Sequence, residues 1–290
     1  MSSKLSIRIA DVTISIGPLA LDRVMIPEAD RRFHVKSSNG DLQLETRDCN
    51  VDPAERQQVL FHSERWSVFR IGQGFLFRFS MGQNENGEGR VLSVVVNEDV
   101  TLGGISLPRA AGDGLLCYPL LYPVHEVLMA AHLATRGGIE LHACGVIDQT
   151  GRATLFVGTS GAGKSTLCTF MKEYEGLEIL SDDRIIVRKK EGDWWAYGTP
   201  WHGDALCSTN RGARLGRVFL LEQAKETEMF DVTPSEGALL LLRDSFPTYW
   251  SREKLERMME TLDGLCRAVP ISRLHFTRDK TVLKKTLRLK

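Results

Sequence analysis

The sequence predicts an α/β fold in two parts, with a β-rich region over residues 1–120 and a phosphate-loop domain over residues 121–290. Three observations carry that expectation. Up to about residue 120, short runs alternate apolar and polar residues between Gly, Asn and Asp punctuation, the signature of strands and tight turns. From residue 139 the order becomes strand, glycine loop, helix, strand, the grammar of an α/β domain. Hydrophobic residues make up 42% of the chain and charged residues 26%, enough apolar surface for a core and too much for disorder.

In the first part, Ser6 to Ile16 alternates with a slip near Ala10. Arg32 to Val35, Leu42 to Thr46 and Val59 to His62 are further short strands. Trp66 to Phe79 reads as a hairpin turning at Ile71-Gly72-Gln73-Gly74. Gln83 to Gly89 is a polar loop before a strand at Arg90 to Val96. No nucleotide motif occurs here, and the region reads as a sheet that packs on or shields a catalytic domain.

In the second part, Val124 to Ala134 has helical spacing and stops at Gly137-Gly138. Ile139 to Ile147 and Ala153 to Val157 are strands joined by a polar turn. Lys164 to Tyr174 is a helix, and Leu177 to Leu180 and Arg184 to Val187 are strands. Trp194 to Tyr197, Arg217 to Leu221 and Leu274 to Phe276 complete the strand set. Pro234 to Asp244, Arg252 to Arg267 and Asp279 to Leu287 are helices.

Charge and cysteine usage exclude several function classes. Lys plus Arg and Asp plus Glu are each 37, so no global basic field points to nucleic acid. The six cysteines, Cys49, Cys117, Cys144, Cys168, Cys207 and Cys266, are too widely spaced for a CxxC clip. They read as reduced thiols in a cytoplasmic protein. Lys4, Arg8 and Asp11 break any signal-like run, and no apolar stretch is long enough to span a membrane.

The sharpest motif is Gly158-Thr159-Ser160-Gly161-Ala162-Gly163-Lys164-Ser165, followed by Thr166, which fits GxxxxGK[ST] between a strand and a helix. Glycines let successive backbone N–H groups face inward onto anionic oxygens, and the helix adds its positive end. Lys164 would reach the β- and γ-phosphates of ATP, and the Ser165 hydroxyl would ligate Mg²⁺.

Phosphoryl transfer also needs a carboxylate for the metal and often a base for the incoming nucleophile. Leu177-Glu178-Ile179-Leu180-Ser181-Asp182-Asp183 supplies a strand that ends in two adjacent carboxylates. Neighbours on a strand point to opposite faces, so both face the metal only if the strand ends between them. One would hold Mg²⁺, with Asp182 assigned to it, and the other would take the acceptor's proton.

The segment His142-Ala143-Cys144-Gly145-Val146, the phosphate loop and Leu180-Ser181-Asp182-Asp183 together resemble the HPr kinase/phosphorylase catalytic domain. That fold is similar to the nucleotide domain of ATP-dependent phosphoenolpyruvate carboxykinase. The resemblance spans roughly residues 120 to 280, with sharp motifs between 139 and 187. It implies a kinase acting on a hydroxyl, with Lys164 on phosphate, Ser165 on magnesium, Asp183 as general base and His142 beside the active site. His142 would orient the base or contact the γ-phosphate; the alternative is a satisfied histidine on a buried strand. It also implies a homo-oligomer.

The departures bear on the acceptor. The Glu-Ile-Arg-Gly loop of HPr kinases is replaced by Gly198-Thr199-Pro200-Trp201-His202-Gly203-Asp204, and their arginine-rich C-terminal loop by Val269 to Phe276. The chain thus resembles the broader group of HPr-kinase-like proteins, and HPr itself is not the expected substrate. In the new loop Trp201 would stack on an acceptor or close a packed corner, and His202 would donate to phosphate. Arg211, Arg214 and Arg217 offer an arginine finger or a basic surface turn. The expected activity is γ-phosphoryl transfer to a serine-type hydroxyl on an unidentified protein, peptide or small molecule, without nucleic-acid or membrane partners. The alternative is a nucleotide-binding regulatory or assembly module that senses ATP and transfers nothing.

Overall fold

The computed structural model describes residues 3–37, 39–47, 58–83, 87, 89–108 and 116–287. Cys49 and most of the polar loop between Gln83 and Gly89 lie outside them. The chain forms two compact units, Met1–His132 with Thr248–Arg252, and Leu133–Pro247 with Glu253–Lys290.

In the first unit the alternating run at the start is two strands, β1 (Ser3–Ile9) and β2 (Val12–Leu19), paired antiparallel. The slip near Ala10 is the turn: Ala10 and Asp11 take φ of 51° and 59°. Two consecutive positive φ values match the twist of a two-residue hairpin. A short helix α1 (Glu28–Arg31) follows, and the expected strand at Arg32 to Val35 is irregular chain with one bridge from His34 to Ile7. Then come β3 (Leu42–Thr46), β4 (Gln58–His62), β5 (Trp66–Ile71), β6 (Gly74–Gln83), β7 (Gly89–Asn97) and β8 (Leu102–Ser106).

These eight strands form one sheet in the order β1-β2-β3-β8-β7-β6-β5-β4. β8 escapes a reading by propensity because it contains Gly103-Gly104. A Cβ on Gly103 would meet the Val95 carbonyl oxygen at 2.1 Å, so close strand approach requires glycine there. The returning segment Thr248–Arg252 brings Trp250 against Trp66 and Phe77, with ring centroids 5.4 and 6.0 Å away. α2 (Val124–Leu133) follows the sheet.

The second unit contains β9 (Gly138–Ile147), β10 (Arg152–Val157), α3 (Lys164–Met171), β11 (Glu178–Ser181), β12 (Arg184–Lys190), β13 (Asp193–Gly198), β14 (Gly212–Gln223) and β15 (Glu228–Asp231). It closes with α4 (Pro234–Arg243), α5 (Arg252–Ala268), β16 (Ile271–Phe276) and α6 (Thr281–Thr286). α4 starts where the sequence supplies a cap: the Thr233 hydroxyl accepts from the Glu236 N–H at 3.3 Å, and Pro234 occupies the first turn.

The strand order is β10-β9-β12-β13-β14-β16-β15, and β10 also pairs in parallel with β14. Five strands, β10, β9, β12, β13 and β14, therefore close into a ring. Alternation along β10 divides the core. Leu155 and Val157 face a cluster with Leu141, Ile185 and Leu220, covered by Leu241 of α4 and by Met258, Leu262 and Leu265 of α5. Phe156 faces the other way, against Phe219, Leu167, Met171 and Leu283 from α3 and α6. The molecule is thus mixed α/β with two large sheets. Among the described residues no helix is long and apolar enough to cross a membrane.

Phe156 is fully buried, its ring 5.5 Å from that of Phe219. Phe156→Ala should destabilise the protein by about 3–5 kcal/mol in denaturant melts. A change under about 1 kcal/mol would mean that this layer is not packed as described.

Candidate functional site

β9 sets the geometry, because it changes partners on both edges near His142. On one edge, Gly138 to His142 pair with β12, and Gly145 to Ile147 pair with β11. Between those partners the chain carries Asp182-Asp183, and the Asp183 carbonyl accepts from the Ala143 N–H at 3.0 Å. On the other edge, Ala143 to Ile147 pair with β10, whose continuation Gly158 donates its N–H to the His142 carbonyl at 3.1 Å. Beyond β10 that edge is covered by the end of α4: the His142 N–H donates to the Asp244 carbonyl at 2.8 Å, and Leu141 bridges Ser245. The start of the glycine loop, the acidic pair, His142 and Asp244 thus meet at one point.

The glycine loop lies between β10 and α3 as its sequence requires. Gly161 and Gly163 have φ of 80° and 111°, a region L-residues rarely adopt. A Cβ on Gly163 would also strike the Phe276 ring at 2.5 Å. Thr159 and Ser160 are exposed; Ala162, Ser165 and Thr166 are half-buried. Lys164 is 5% exposed and folds back over the loop, its Nζ donating to the carbonyls of Gly158 at 2.8 Å and Thr159 at 3.1 Å. Burial pushes its pKa down, and Asp183 and Asp244 oppose that while Arg184 adds to it.

The two aspartates are not equivalent. Asp182 is fully buried, and its carboxylate accepts three backbone N–H groups: Gly203 at 3.0 Å, Ala205 at 2.8 Å and Cys207 at 3.2 Å. Those bonds fold the loop after β13 around the carboxylate. Asp183 faces the other way. Its Oδ1 lies 2.8 Å from His142 Nε2, and its Oδ2 is 2.6 Å from the Arg184 guanidinium. Burial alone would raise the Asp183 pKa. The hydrogen bond from His142 and the charges of Arg184, His142 and Lys164 outweigh it and hold the carboxyl below the ordinary range.

Arg184 is itself fixed. Its guanidinium lies 4.1 Å from the centroid of Phe246 and 3.5 Å from the carboxylate of Glu140, which is buried. Phe246 donates its N–H to the Glu140 carbonyl at 3.2 Å, and Thr199 Oγ1 donates to the Arg184 carbonyl at 2.8 Å. A cation held between an aromatic face and a buried carboxylate has little freedom to leave Asp183.

Magnesium fits this donor set in one form only. Among the described residues no group of three or more His, Cys, Asp or Glu side chains is arranged to hold a metal ion. The Asp182 oxygens are taken by amides. Magnesium, however, commonly keeps waters and phosphate oxygens with one or two protein ligands. Ser165, on the first turn of α3, is the residue placed to provide one.

The remaining motif residues fall elsewhere. Trp201 is 5% exposed, the packed corner rather than an open stacking platform. His202 is half-buried, with Nδ1 3.1 Å from the Gly203 carbonyl. The Arg211 to Arg217 stretch is largely strand β14 rather than a turn, with Arg211 paired to Glu178 and Arg214 to Asp193 at the surface. Asp244, Phe246 and Glu140 carry no motif. Only the fold brings them in.

A family model described as SynChlorMet cassette protein ScmC matches residues 119–268. Among solved structures the chain is similar to the Hpr(Ser) kinase/phosphatase from Coxiella burnetii, with 9% identity and a TM-score of 0.28 over 50% of this chain and 88% of that one. No curated protein matches the chain.

Two measurements test the contrast between the aspartates. Asp182→Ala should speed hydrogen exchange at the amides of Gly203, Ala205 and Cys207 by about 10- to 100-fold, the loss of a charge-assisted bond at each. Unchanged exchange would show that the carboxylate does not hold the loop. Asp183 is bound in its ionised form, so its contribution is complete above the ordinary carboxyl pKa and lost as pH falls through the depressed one. The stability difference between wild type and Asp183→Asn should shrink as pH falls below about 4.

Proposed function

We propose that this chain, which belongs to the ScmC family, is an ATP- and magnesium-dependent kinase that transfers the γ-phosphoryl group to a hydroxyl. The observation that carries the reading is the meeting of Lys164, His142 and Asp183 around one position on β9. A phosphate-binding lysine and an ionised carboxylate with a histidine partner are the parts that phosphoryl transfer to an alcohol needs.

In this reading the backbone of Gly158 to Ser165 and the first turn of α3 cradle the phosphates. Lys164 exchanges its two carbonyl partners for phosphate oxygens and stabilises charge on them during transfer. Bound through Ser165, magnesium would neutralise charge on the phosphate oxygens. The acceptor hydroxyl gives its proton to the Asp183–His142 pair as its oxygen bonds the γ-phosphorus, and ADP leaves. Arg184 keeps Asp183 ionised and aimed. The acceptor is a serine-type hydroxyl of a protein, peptide or small molecule.

One observation favours the alternative of an ATP-sensing module. Both Asp183 oxygens already have partners, so the carboxylate is as well built for rigidity as for accepting a proton. Transfer of label separates the two readings.

Wild-type protein should move ³²P from γ-labelled ATP to an acceptor in a panel of hydroxyl-bearing peptides and metabolites. Lys164→Ala should weaken ATP binding by roughly 30-fold or more, about 2 kcal/mol, in calorimetric titration. Asp183→Asn should keep ATP affinity within a few-fold and abolish transfer. ATP binding without transfer to any acceptor would favour the sensor, and no ATP binding would remove both readings.

A further inference from the structure

We propose that Cys168 and Cys207 are a thiol pair that closes into a reversible disulfide, tying α3 to the loop folded around Asp182 and weakening the nucleotide site. The effect on the site rests on the kinase reading. Formation of the bond does not.

The two sulfurs are 3.3 Å apart although 39 positions separate them in sequence. Cys168 sits one turn into α3 after Lys164, fully buried. Cys207 ends the Asp182-held loop and is half-exposed, so a small oxidant reaches it first. Its N–H is one of the three that bind Asp182. Directly before it Leu206 is 73% exposed with φ of 52°, a conformation unfavourable for a branched side chain.

A disulfide needs the sulfurs at about 2.05 Å, so closure shortens their separation by more than an ångström, shared between rotation of the two side chains and a shift of the loop against α3. The loop's share of that shift strains the Cys207 N–H bond to Asp182, and the helix's share moves α3 under the phosphate loop. Lys172, one turn beyond Cys168, reaches the same loop: its Nζ donates to the Ala205 carbonyl at 2.8 Å and lies beside the Cys207 sulfur. A cation there favours the thiolate that starts the exchange. Burial pushes the Cys207 thiol up to about 11, so exchange is slow at neutral pH and faster in mild alkali. Cys144 is a third buried thiol, hydrogen-bonded to Cys168 on the side of β9.

The oxidant is a low-molecular-weight disulfide of the glutathione class. The Cys207 thiolate attacks one of its sulfurs, and the first glutathione leaves as a thiolate that takes up the proton Cys207 released. The Cys144 hydrogen bond and burial push the Cys168 thiol well up, so this step is the slow one: Cys168 gives up its proton, its thiolate attacks the Cys207 sulfur, and the second glutathione leaves as a thiolate that takes up that proton. Two protein thiols lose two electrons and two protons, and one small disulfide becomes two thiols.

The test uses the full chain in glutathione redox buffers at about pH 8.5, with free thiols then alkylated. Of its six cysteines, wild type should take up two fewer alkyl groups than the reduced protein and yield a peptide cross-linking residues 168 and 207. Cys168→Ala should stop at glutathionylated Cys207, and Cys207→Ser should form no cross-link. Oxidised wild type should bind ATP roughly tenfold more weakly, about the loss of one charge-assisted hydrogen bond, and recover with dithiothreitol. ATP affinity of Cys207→Ser should not respond to the buffer. Glutathionylated Cys207 without a cross-link, or a cross-link to Cys144 instead, would overturn the pair. A 168–207 cross-link with ATP affinity unchanged would overturn its control of the site. Failure of the kinase reading would show separately, as unlabelled acceptors with reduced protein.

Discussion

The candidate site depends on one strand having different neighbours along its length. β9 pairs with β12 and then β11 on one edge, and with the end of α4 and then β10 on the other. Both exchanges fall within Leu141 to Gly145. Each leaves a gap in the ladder, and the gaps are where the glycine loop departs and the acidic pair turns. Backbone hydrogen bonds to His142 and Ala143 fill them, so the register of four segments is fixed at once. A one-residue slip of β9 would reverse every side chain on it and carry His142 away from Asp183.

Around that point the charges are arranged as a small closed circuit. Lys164, Arg184 and Arg243, which pairs with Asp244 at 2.7 Å, are the cations; Asp183, Asp244 and Glu140 are the carboxylates. The balanced composition of the whole chain therefore coexists with a dense local alternation of charge. Most of these groups are buried or half-buried, where attraction between opposite charges is less screened and an unpaired charge costs more. Phe246 contributes without charge, closing one face of Arg184 to water.

The parts of this arrangement legible in the sequence are those built from contiguous residues. The glycine loop was readable because its chemistry demands glycines at fixed offsets before Lys164-Ser165. The strands flanking it were readable because buried β10 is almost wholly apolar. Adjacent aspartates on a strand end announced opposite directions, but not which would face inward. That was decided by amides of Gly203 to Cys207, whose positions depend on a loop and not on side-chain identity. Asp244 follows an unremarkable apolar helix, and Glu140 and Phe246 look like parts of ordinary runs. The Cys168–Cys207 approach is hidden for the same reason: a separation of 39 positions carries no spacing rule. β8 was missed because its glycines serve interstrand contact, which composition cannot distinguish from a turn.

The burial of Asp182 changes how loss of function in this chain would have to be interpreted. Two identical neighbouring residues have unlike surroundings, one a keystone for a loop and the other held between His142 and Arg184, where the kinase reading puts the base. Under the kinase reading, a screen for lost activity would score both alike and give no hint of the difference. Rescue by suppressor substitutions should be informative where knockouts are not. A defect in a keystone can be repaired by any change that re-braces the loop, whereas a missing reactive group can be replaced only by another of similar chemistry.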